Sequence, residues 1–508
     1  MKHSLSLLTL GAAALAAHAQ QRPNILLILC DDLGYSDLAC YGQRFIATPH
    51  LDQLAREGLR FTQAYAGSPV SAPSRASIMT GQHTGRTHVR GNREYWREHV
   101  VDSLYGRNAD VAEGWAGQEP YAADLPILPE IFKAYGYTTG LFGKWAGGYE
   151  GSSSTPDQRG IDEFLGYICQ FQAHAYYPNF LNAYHRGDRA PHRVVLDENI
   201  AFGMPGEGDY AQRPQYAADI IHRAALDWID RQRSDQPFLG IFTYTLPHAE
   251  LHQPEDSLVQ HYRGRLRPEK VYKGSVASRY APTSEAHTQF AAMVSRLDQM
   301  VGEIVARLRA KGLDQNTLIV FTSDNGPHEE GGGDPAFFHP DGPLRGVKRS
   351  MYEGGIRIPF IVRWPSRVPA GKTSDVPLAF YDLLPTFCDA ASIRDYHRLY
   401  SSTPPLDGLS FLPTFLGEET KQPRHTYLYW EFHETDMIAV RRGHWKIVVH
   451  RGRCALYDLD HDLGERNDCS ALHPEVVQQL IDVIYREHRD HPLFPVTLPP
   501  RIFAPPAP

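Results

Sequence analysis

The sequence predicts an α/β protein, in which a large mixed, mostly parallel sheet is sandwiched by helices and a smaller C-terminal α+β domain carries a short antiparallel sheet. Several short apolar runs, rich in β-forming residues, end abruptly in polar residues, as buried strands of a parallel sheet do. Segments with helical periodicity lie between these runs. Such alternation favours parallel strands joined by right-handed crossovers.

Four apolar runs are predicted to be buried strands: residues 24–30, 138–142, 238–246 and 317–322. Ligands of open α/β sheets bind beyond the carboxyl ends of the strands. Because polar residues follow each run, we expect residues that are far apart in the chain to converge on one site. These residues are Asp31, Asp32, Lys144, His248, Asp324 and Asn325.

Two segments between the strands have apolar residues at helical spacing, 217–231 and 290–308. The pattern changes near residue 400, where 401–405 and 417–423 are typical of loops. Beyond them, short apolar runs predict antiparallel strands and a terminal helix; they are 427–430, 438–441, 445–449, 455–457 and the helix 474–488. We therefore expect a catalytic domain over 20–418 and a subdomain over 419–508, with the polar stretch 89–123 inserted over the site.

The N-terminus has the features of a secretory signal. Lys2 and His3 precede an apolar stretch, 5–17, which ends in Ala17-His18-Ala19. This pattern predicts a signal peptide over 1–19, cleaved after about Ala19, and an exported protein that is periplasmic or secreted. No later segment has the roughly 18 apolar residues of a membrane span.

Charge and cysteine content exclude some functions. The 508-residue chain has a formal net charge of -8 and no polybasic block, which argues against nucleic acid as a partner. None of its six cysteines forms a C-x-x-C motif, so a cysteine-rich zinc site is not indicated. Cys454 and Cys469 are candidates for a disulfide, which the sequence alone does not establish.

The acidic residues after the first and last of the four strands form a candidate metal site. Asp31, Asp32, Asp324 and Asn325 supply hard oxygen ligands, which suit Ca²⁺ or Mg²⁺ better than zinc. A single Asp after a strand is more often a loop or helix cap. Two such pairs favour a metal.

The run from Ser71 to Gly81 contains a candidate nucleophile. Pro73 favours a helix start, which places Ser71 just before the helix, near unpaired backbone N–H groups that bind anions. Taken alone, this short run would favour an ordinary capping serine at Ser71.

The run resembles the signature of the type I, formylglycine-dependent sulfatases of the alkaline phosphatase superfamily, in its serine-type form. Ser71-Ala72-Pro73-Ser74-Arg75 is followed by Met79-Thr80-Gly81, as in that signature. The family's other landmarks occur along the chain in the expected order. They are Asp-Asp-x-Gly at 31–34, Gly-Lys-Trp at 143–145, Leu-Pro-His at 246–248, Ser-Asp-Asn-Gly at 323–326, Gly-x-Lys at 346–348 and Tyr-Glu-Gly-Gly at 352–355. Within the family, the chain resembles bacterial carbohydrate sulfatases and arylsulfatases.

This resemblance implies an alkaline-phosphatase-like fold and a serine-type maturase that oxidises Ser71 to formylglycine (3-oxoalanine), which is hydrated to a diol. It implies that Ca²⁺ is bound by Asp31, Asp32, Asp324, Asn325 and the modified Ser71. It also implies that Arg75 holds the formylglycine hydroxyl, that Lys144 and Lys348 bind sulfate oxygens, and that His248 protonates the departing sugar oxygen.

The chain departs from the family pattern at one position. Many members have His two residues after the Lys of Gly-Lys-Trp, where this chain has Ala146. Another group or the metal must then activate the diol. His328 is a candidate substitute, and an ordinary loop histidine is at least as good an interpretation.

The segment 170–177 resembles one in carbohydrate sulfatases that act on galactose-type sugars. We expect His174 to bond a sugar hydroxyl, with further pocket candidates at Glu250, His252, Arg345 and the segment Glu431-Phe432-His433. The predicted substrate is a sulfated saccharide, attacked in exo mode: a sulfated galactose or N-acetylgalactosamine from host mucin, glycosaminoglycan or algal glycans.

Two alternatives from other classes remain. A phosphatase or phosphodiesterase of the same superfamily would need additional His and Asp ligands for a second zinc ion, and the sequence shows no such set. A sugar-binding pseudo-sulfatase would keep Ser71 unmodified. The intact lysines argue against this alternative, and Ala146 slightly favours it.

Overall fold

The computed structural model describes residues 22–93, 117–197, 215–274, 280–400 and 406–502. The predicted signal peptide, the predicted loop 401–405 and much of the predicted insertion 89–123 lie outside these ranges. Within them, no helix is both long enough and apolar enough to cross a membrane.

The described residues form two sheets, and the larger has eleven strands. They are β1 Asn24–Cys30, β2 Leu59–Tyr65, β3 Thr138–Lys144, β4 Glu163–Tyr167, β5 Phe180–His185, β6 His192–Val195, β7 Phe238–Thr243, β8 Thr317–Ser323, β9 Arg357–Arg363, β10 Lys372–Ser374 and β11 Leu378–Ala379. Their order in the sheet is β10-β2-β9-β8-β1-β7-β3-β4-β5-β6, and β11 also pairs with β2.

The centre of this sheet is parallel. Strands β8, β1, β7, β3 and β4 are parallel neighbours, with Leu27 of β1 opposite Ile241 of β7 and Val320 of β8. Strand β9 is antiparallel to β8 and β2, and β5 is antiparallel to β4 and β6. The predicted mixed, mostly parallel sheet is therefore confirmed.

Helices cover both faces of the sheet. The α-helices are α1 Pro49–Arg56, α2 Ser71–Thr80, α3 Leu128–Ala134, α4 Ala217–Arg231, α5 Ser257–Tyr262, α6 Ala286–Ala310, α7 Pro335–Phe338, α8 Glu353–Ile356, α9 Leu383–Ala390, α10 Leu412–Phe415 and α11 Pro474–Glu487. Alternate residues of β1 enter different cores: Leu26 and Ile28 pack with α4 and α6, while Ile25 and Leu27 pack with α2 and α3. This is the period-two alternation of a strand buried on both faces.

The predicted elements differ from the observed ones mainly at their ends. Helix α4 has the predicted bounds, and α6 extends the predicted 290–308 by four residues before its start and two after its end. Strand β7 ends at Thr243, three residues earlier than predicted. The chain between Thr243 and His248 therefore forms a connection that carries the histidine beyond the strand end.

The smaller sheet is antiparallel, as predicted. Its strands are β12 Leu428–Phe432, β13 Met437–Arg442, β14 Trp445–His450 and β15 Arg453–Asp458, paired in chain order. Helix α11 packs on one face through Leu480 and Ile481. Trp430 on the other face donates from Nε1 to the carbonyl of Ala66, 2.8 Å away, which joins this sheet to the larger one.

A buried ionic cluster also links the two sheets. Lys446 of β14 lies 2.8 Å from Glu353 of α8 and 2.9 Å from Glu465, and all three side chains are fully buried. The cysteines nearby are free thiols: Cys469 donates from Sγ to the carbonyl of Leu456, and Cys454 is unpaired with it. The open question of a Cys454–Cys469 disulfide is thus answered in the negative for this structure.

Candidate active site

The carboxyl ends of four adjacent parallel strands meet at one edge of the large sheet. In the order β8, β1, β7 and β3, they lead to Asp324, Asp31, His248 and Lys144. Asp31 and Asp324 are held side by side, because Asp324 donates its backbone N–H to the carbonyl of Cys30. The structure thus brings together residues separated by almost three hundred positions.

Helix α2 places Ser71 at the centre of this edge. The helix begins at Ser71 itself, earlier than the predicted start at Pro73, and Pro73 is tolerated because it lies in the first turn. The Ser71 hydroxyl donates to Asp31 Oδ1 at 3.0 Å. Every residue of α2 is buried, so Ser71 is fixed in the site by packing on all sides.

Two buried cations sit against the carboxylates beside Ser71. Arg75, one turn further along α2, donates to Asp324 Oδ2 at 2.9 Å and to Asp31 Oδ2 at 3.4 Å. Lys144 Nζ lies 2.6 Å from Asp31 Oδ2. Since Arg75 also bonds the carbonyl of Lys144 at 2.9 Å, the two cations are held next to each other around Ser71.

A third cation closes the other side. Lys348 Nζ donates to Asp32 Oδ2 at 2.9 Å and to His248 Nε2 at 2.7 Å. His248 Nδ1 contacts the carbonyl of Ala249, which fixes the proton on Nδ1 and leaves Nε2 to accept from Lys348. Burial and then Lys348 hold the pKa of His248 well below its usual range. The imidazole is therefore neutral.

The carboxylates are crowded, and their pKa values reflect it. Burial together with Asp31 raises the pKa of Asp324 to about 6. Burial acts in the same direction on Asp31, but Lys144 and Arg75 outweigh it and hold the Asp31 pKa well below its usual range. For Lys348, burial is outweighed by Asp32 and Glu330, which raise its pKa to about 12.

The oxygen atoms of this edge fit a hard divalent cation. Asn325 Oδ1 is fully buried and has no hydrogen-bond partner, while its Nδ2 donates to Asp32 Oδ1 at 2.7 Å. An orphaned buried carbonyl oxygen is costly unless a further group, such as a metal ion, takes it. Asp32 adopts φ 63°, an uncommon left-handed conformation for this residue type, which turns its carboxylate into the cluster. Asp31, Asp32 and His248 also offer ligand atoms within 4.8 Å of one another.

Ala146 stands at the position of the family histidine and is fully buried at φ 57°. Tyr121 packs against the residues on either side of it: its ring makes an edge contact with Trp145, and a Cβ added to Gly147 would lie 2.2 Å from that ring. His328 does not take the place of that histidine. Its Nε2 lies 3.2 Å from the carbonyl of Pro247 and its Nδ1 accepts the N–H of Glu330, so both nitrogens bond backbone groups.

The predicted substrate residues divide into two groups. His174 reaches the site, where its ring stacks on His248 with centroids 4.1 Å apart. Glu250 and His252 lie behind His174. The backbone N–H of Glu250 donates to the carbonyl of His174, and the Glu250 carboxylate accepts the N–H of Ala281 at 2.7 Å. Burial lowers the pKa of His252 to about 4.

The other two candidates lie toward the smaller sheet. Arg345 is exposed and donates to the carbonyl of Glu465 at 2.6 Å. It therefore contributes to the contact between the two sheets and does not lie among the carboxylates beside Ser71. His433 is half-buried against Phe494 and beside Gly91. The neighbouring Asn92 accepts the N–H of Ala72, so His433 lies near the start of α2 without contacting Ser71.

Sequence reasoning missed three residues around the mouth of the site. Glu330 contacts Lys348, Tyr280 bonds both His174 and Glu330, and Arg349 pairs with Glu330. Glu330 and Arg349 could have been found from position, because each lies within six residues of a family motif. Tyr280 carries no such signal, since it lies in an irregular segment between elements.

A second group of potential metal ligands lies at the far end of α2. His83, Asp407 and Glu487 approach one another there, but Arg86 contacts both carboxylates. These carboxylates are therefore already neutralised. The other such group among the described residues is Asp31, Asp32 and His248 at the Ser71 site.

Comparisons with known proteins agree with this geometry. A family model described as Sulfatase matches residues 23–393, and one described as N-sulphoglucosamine sulphohydrolase, C-terminal, matches residues 347–489. The chain is 29% identical to an N-acetylgalactosamine-6-O-sulfatase of Bacteroides thetaiotaomicron, over 91% of this chain and 93% of that protein. It is 30% identical to the N-acetylgalactosamine-6-sulfatase of Canis lupus familiaris, over 87% of this chain and 74% of the relative.

A solved structure shows the same architecture. The crystal structure of Ps i-CgsB in complex with k-i-k-neocarrahexaose matches with a TM-score of 0.70 and 27% identity, over 92% of this chain and 94% of that one. The family match spans most of the chain and includes the strand ends, α2 and the cationic residues around Ser71. The chain belongs to the sulfatase family of the alkaline phosphatase superfamily and is a sulfuric ester hydrolase.

Proposed function

We propose that this protein is an exported carbohydrate sulfatase that removes sulfate in exo mode from galactose or N-acetylgalactosamine units, using a formylglycine made from Ser71. The observation that carries the proposal is the position of the Ser71 hydroxyl, 3.0 Å from Asp31 Oδ1 and enclosed by Arg75, Lys144 and Lys348. A nucleophile next to oxygen ligands and three cations suits attack on an anionic sulfate ester.

The residues present fit Ca²⁺. We infer that Asp31, Asp32, Asp324, Asn325 and the modified residue 71 would hold it, and the orphaned Asn325 Oδ1 supports this set. A bound Ca²⁺ would lower the pKa of a hydroxyl at residue 71 and neutralise a sulfate oxygen. A hydrated formylglycine would supply two hydroxyl groups on one carbon, one to attack sulfur and one whose proton can later be lost to release sulfate.

The chain's own residues then have distinct tasks. Arg75 shields the charge at residue 71 from one side. Lys144 and Lys348 bind sulfate oxygens as negative charge builds on them, in a buried site where such interactions are strong. His248 donates a proton to the departing sugar oxygen. Because the imidazole is neutral, it must gain a proton as the sulfate ester binds, and the anion beside it then favours the imidazolium.

The substrate class rests on two kinds of support. His174 stacks on His248, so a side chain able to bond a hydroxyl lies beside the proton donor. Relatives named N-acetylgalactosamine-6-sulfatase are about 30% identical over most of the chain. We therefore propose 6-sulfated N-acetylgalactosamine as the first substrate to test. Export is proposed from the N-terminal pattern of residues 1–19 and suits a substrate outside the cell.

The test begins with the Ser71 peptide. Protein from native host material, or coexpressed with a serine-type maturase, should yield a peptide lighter by two hydrogens than the encoded one. The same protein should desulfate a member of a panel of 3-, 4- and 6-sulfated galactose and N-acetylgalactosamine. A wholly unmodified Ser71 would refute the mechanism, and a modified protein that desulfates no member of the panel would refute the substrate class.

A further inference from the structure

A carboxylate lies at the mouth of the site, where a sugar must enter. Glu330 Oε2 lies 3.2 Å from Lys348 Nζ, 3.1 Å from the Tyr280 hydroxyl and 3.5 Å from His248 Nε2. The other oxygen, Oε1, accepts from the Arg349 guanidinium. Glu330 is therefore the first anionic group outside the proposed proton donor.

Exposure increases outward through these contacts. The side chains of His248 and Lys348 are 1% and 4% exposed, whereas those of Glu330 and Arg349 are 20% and 44% exposed. Glu330 thus lies between the reacting groups and solvent. It is on the side from which the sugar must approach, because the inner side is closed by the strand ends and by α2.

Tyr280 joins this carboxylate to the residue expected to contact the sugar. Its hydroxyl lies 3.1 Å from His174 Nδ1 and 3.1 Å from Glu330 Oε2. We call His174, Tyr280, Glu330 and Arg349 the mouth cluster. The cluster is connected by hydrogen bonds, so Glu330 is held in place beside His174.

Glu330 is anionic. Burial opposes its ionisation, but Lys348 and Arg349 outweigh burial and hold its pKa well below the usual range. An ionised carboxylate only accepts hydrogen bonds. It can therefore bond a hydroxyl, and it repels a second anion placed against it.

We propose that Glu330 determines which sulfate esters the enzyme accepts: it accepts a hydrogen bond from a free hydroxyl of the same sugar that lies close to the ester oxygen, and it excludes sugars with a second sulfate at that hydroxyl. The inference rests on the proposed function. The leaving oxygen must lie within hydrogen-bond reach of His248 Nε2. Since Glu330 Oε2 is 3.5 Å from that nitrogen, a sugar substituent close to the leaving oxygen lies within its reach. Arg349 is already paired with Glu330 and does not offset the repulsion.

The test compares two substrates that differ in one group. The pair is built on the monosulfated sugar that the wild-type enzyme desulfates fastest; for N-acetylgalactosamine 6-sulfate, the partner is the 4,6-disulfate. We expect wild-type kcat/KM to be about 10- to 100-fold higher for the monosulfate, the range of a charge-assisted hydrogen bond. In Glu330→Gln this ratio should fall to about threefold or less, because the repelling charge is gone.

A deoxy substrate tests the hydrogen bond itself. Removing the neighbouring hydroxyl, as in 4-deoxy-N-acetylgalactosamine 6-sulfate, should lower wild-type kcat/KM by about tenfold or more. It should have a much smaller effect on Glu330→Gln. The matched control is Glu329→Gln, the exposed adjacent glutamate, which should keep the wild-type ratios.

Several outcomes would overturn the inference. If wild-type kcat/KM is equal for the two sulfated sugars, or higher for the disulfate, the charge of Arg349 and not that of Glu330 determines which sugars enter. A Glu330→Gln enzyme that loses activity on all the substrates equally would mean that Glu330 only supports the fold. Failure of the proposed function looks different, because no sugar sulfate is then hydrolysed at all by wild-type enzyme with modified Ser71.

Discussion

His174 and His248 stack with their ring centroids 4.1 Å apart and their planes 20° apart, although 74 residues separate them in the chain. Burial, followed by the charges of Lys144 and Lys348, holds the pKa of His174 well below its usual range. His174 is therefore a neutral group that can contact a sugar hydroxyl without adding a charge beside the proposed proton donor.

Replacing His174 should separate recognition of the sugar from chemistry on the sulfate. We expect His174→Ala to lower kcat/KM on the preferred sugar sulfate by about 10- to 100-fold, the effect of one lost hydrogen bond to substrate. Hydrolysis of a small aryl sulfate, which lacks the sugar hydroxyls, should fall less. The exposed His397→Ala is the control. Equal losses on both substrates, or no loss on the sugar, would refute the role of His174.

Calcium should stabilise the fold through Asn325. Protein stripped with a chelator should gain about 2.7 kcal/mol of stability when free Ca²⁺ reaches about a hundred times Kd, seen as a higher Tm. Asn325→Ala removes the orphaned oxygen and should reduce this gain while the protein still folds. If adding Ca²⁺ leaves the Tm of the chelator-treated wild-type protein unchanged, the proposed ligand set is wrong.

Lys144 should matter for stability as well as for rate. Its Nζ lies 2.6 Å from Asp31 Oδ2, and both side chains are buried. Lys144→Met leaves a buried carboxylate with one cation fewer, so we expect a loss of about 3–5 kcal/mol in stability without metal. We also expect kcat to fall by about 100-fold or more. Bound Ca²⁺ should restore part of the Tm and none of the rate; an unchanged kcat would exclude contact between Lys144 and the sulfate.

Introducing histidine at position 146, as in many family members, should not recreate the usual arrangement of the site. Ala146 is fully buried at φ 57°, and Tyr121 packs against its chain neighbours Trp145 and Gly147. We expect Ala146→His to cost about 1–3 kcal/mol by overpacking, and thermal unfolding would show the loss. Ala146→Gly, which suits the positive φ, should be neutral or slightly stabilising. An Ala146→His protein with unchanged Tm and a higher kcat would show that the space is available after all.

Asp37 should make stability depend on pH. Burial raises the pKa of Asp37 to about 8, above the ordinary value in the unfolded chain. Folding therefore favours the protonated form, and stability should fall as pH rises toward and through 8. Asp37→Asn is always neutral, so its Tm should fall less between pH 6 and pH 9, by a few degrees. The exposed Asp124→Asn should keep the wild-type slope; if Asp37→Asn also keeps it, the assignment is wrong.

The central strands and the residues at their ends could be predicted because each run is apolar on both faces and stops at a polar residue. Asp31, Lys144 and Asp324 follow directly from that pattern. The strand pattern alone does not predict the position of His248, because β7 ends at Thr243 and an irregular connection places the ring. The family motif, and not the strand pattern, accounts for its position.

The pocket mouth could not be predicted equally well. Arg345 and Glu330 both lie near family motifs, yet Arg345 turns toward Glu465 and Glu330 turns toward Lys348. Short-range sequence does not determine such directions, because they depend on where loops from distant parts of the chain meet. Tyr280 reaches the site in this way, from a segment without periodicity.

The complete burial of α2 determines whether folding or covalent change at Ser71 must come first. The ten residues from Ser71 to Thr80 are all inaccessible, and Ser71 retains 2% of its surface. Another enzyme that recognises this stretch can bind it only while the chain is still extended. Any covalent change that another enzyme makes at Ser71 must therefore be completed before the sheet closes over it. A molecule that folds first keeps serine at this position for as long as it stays folded.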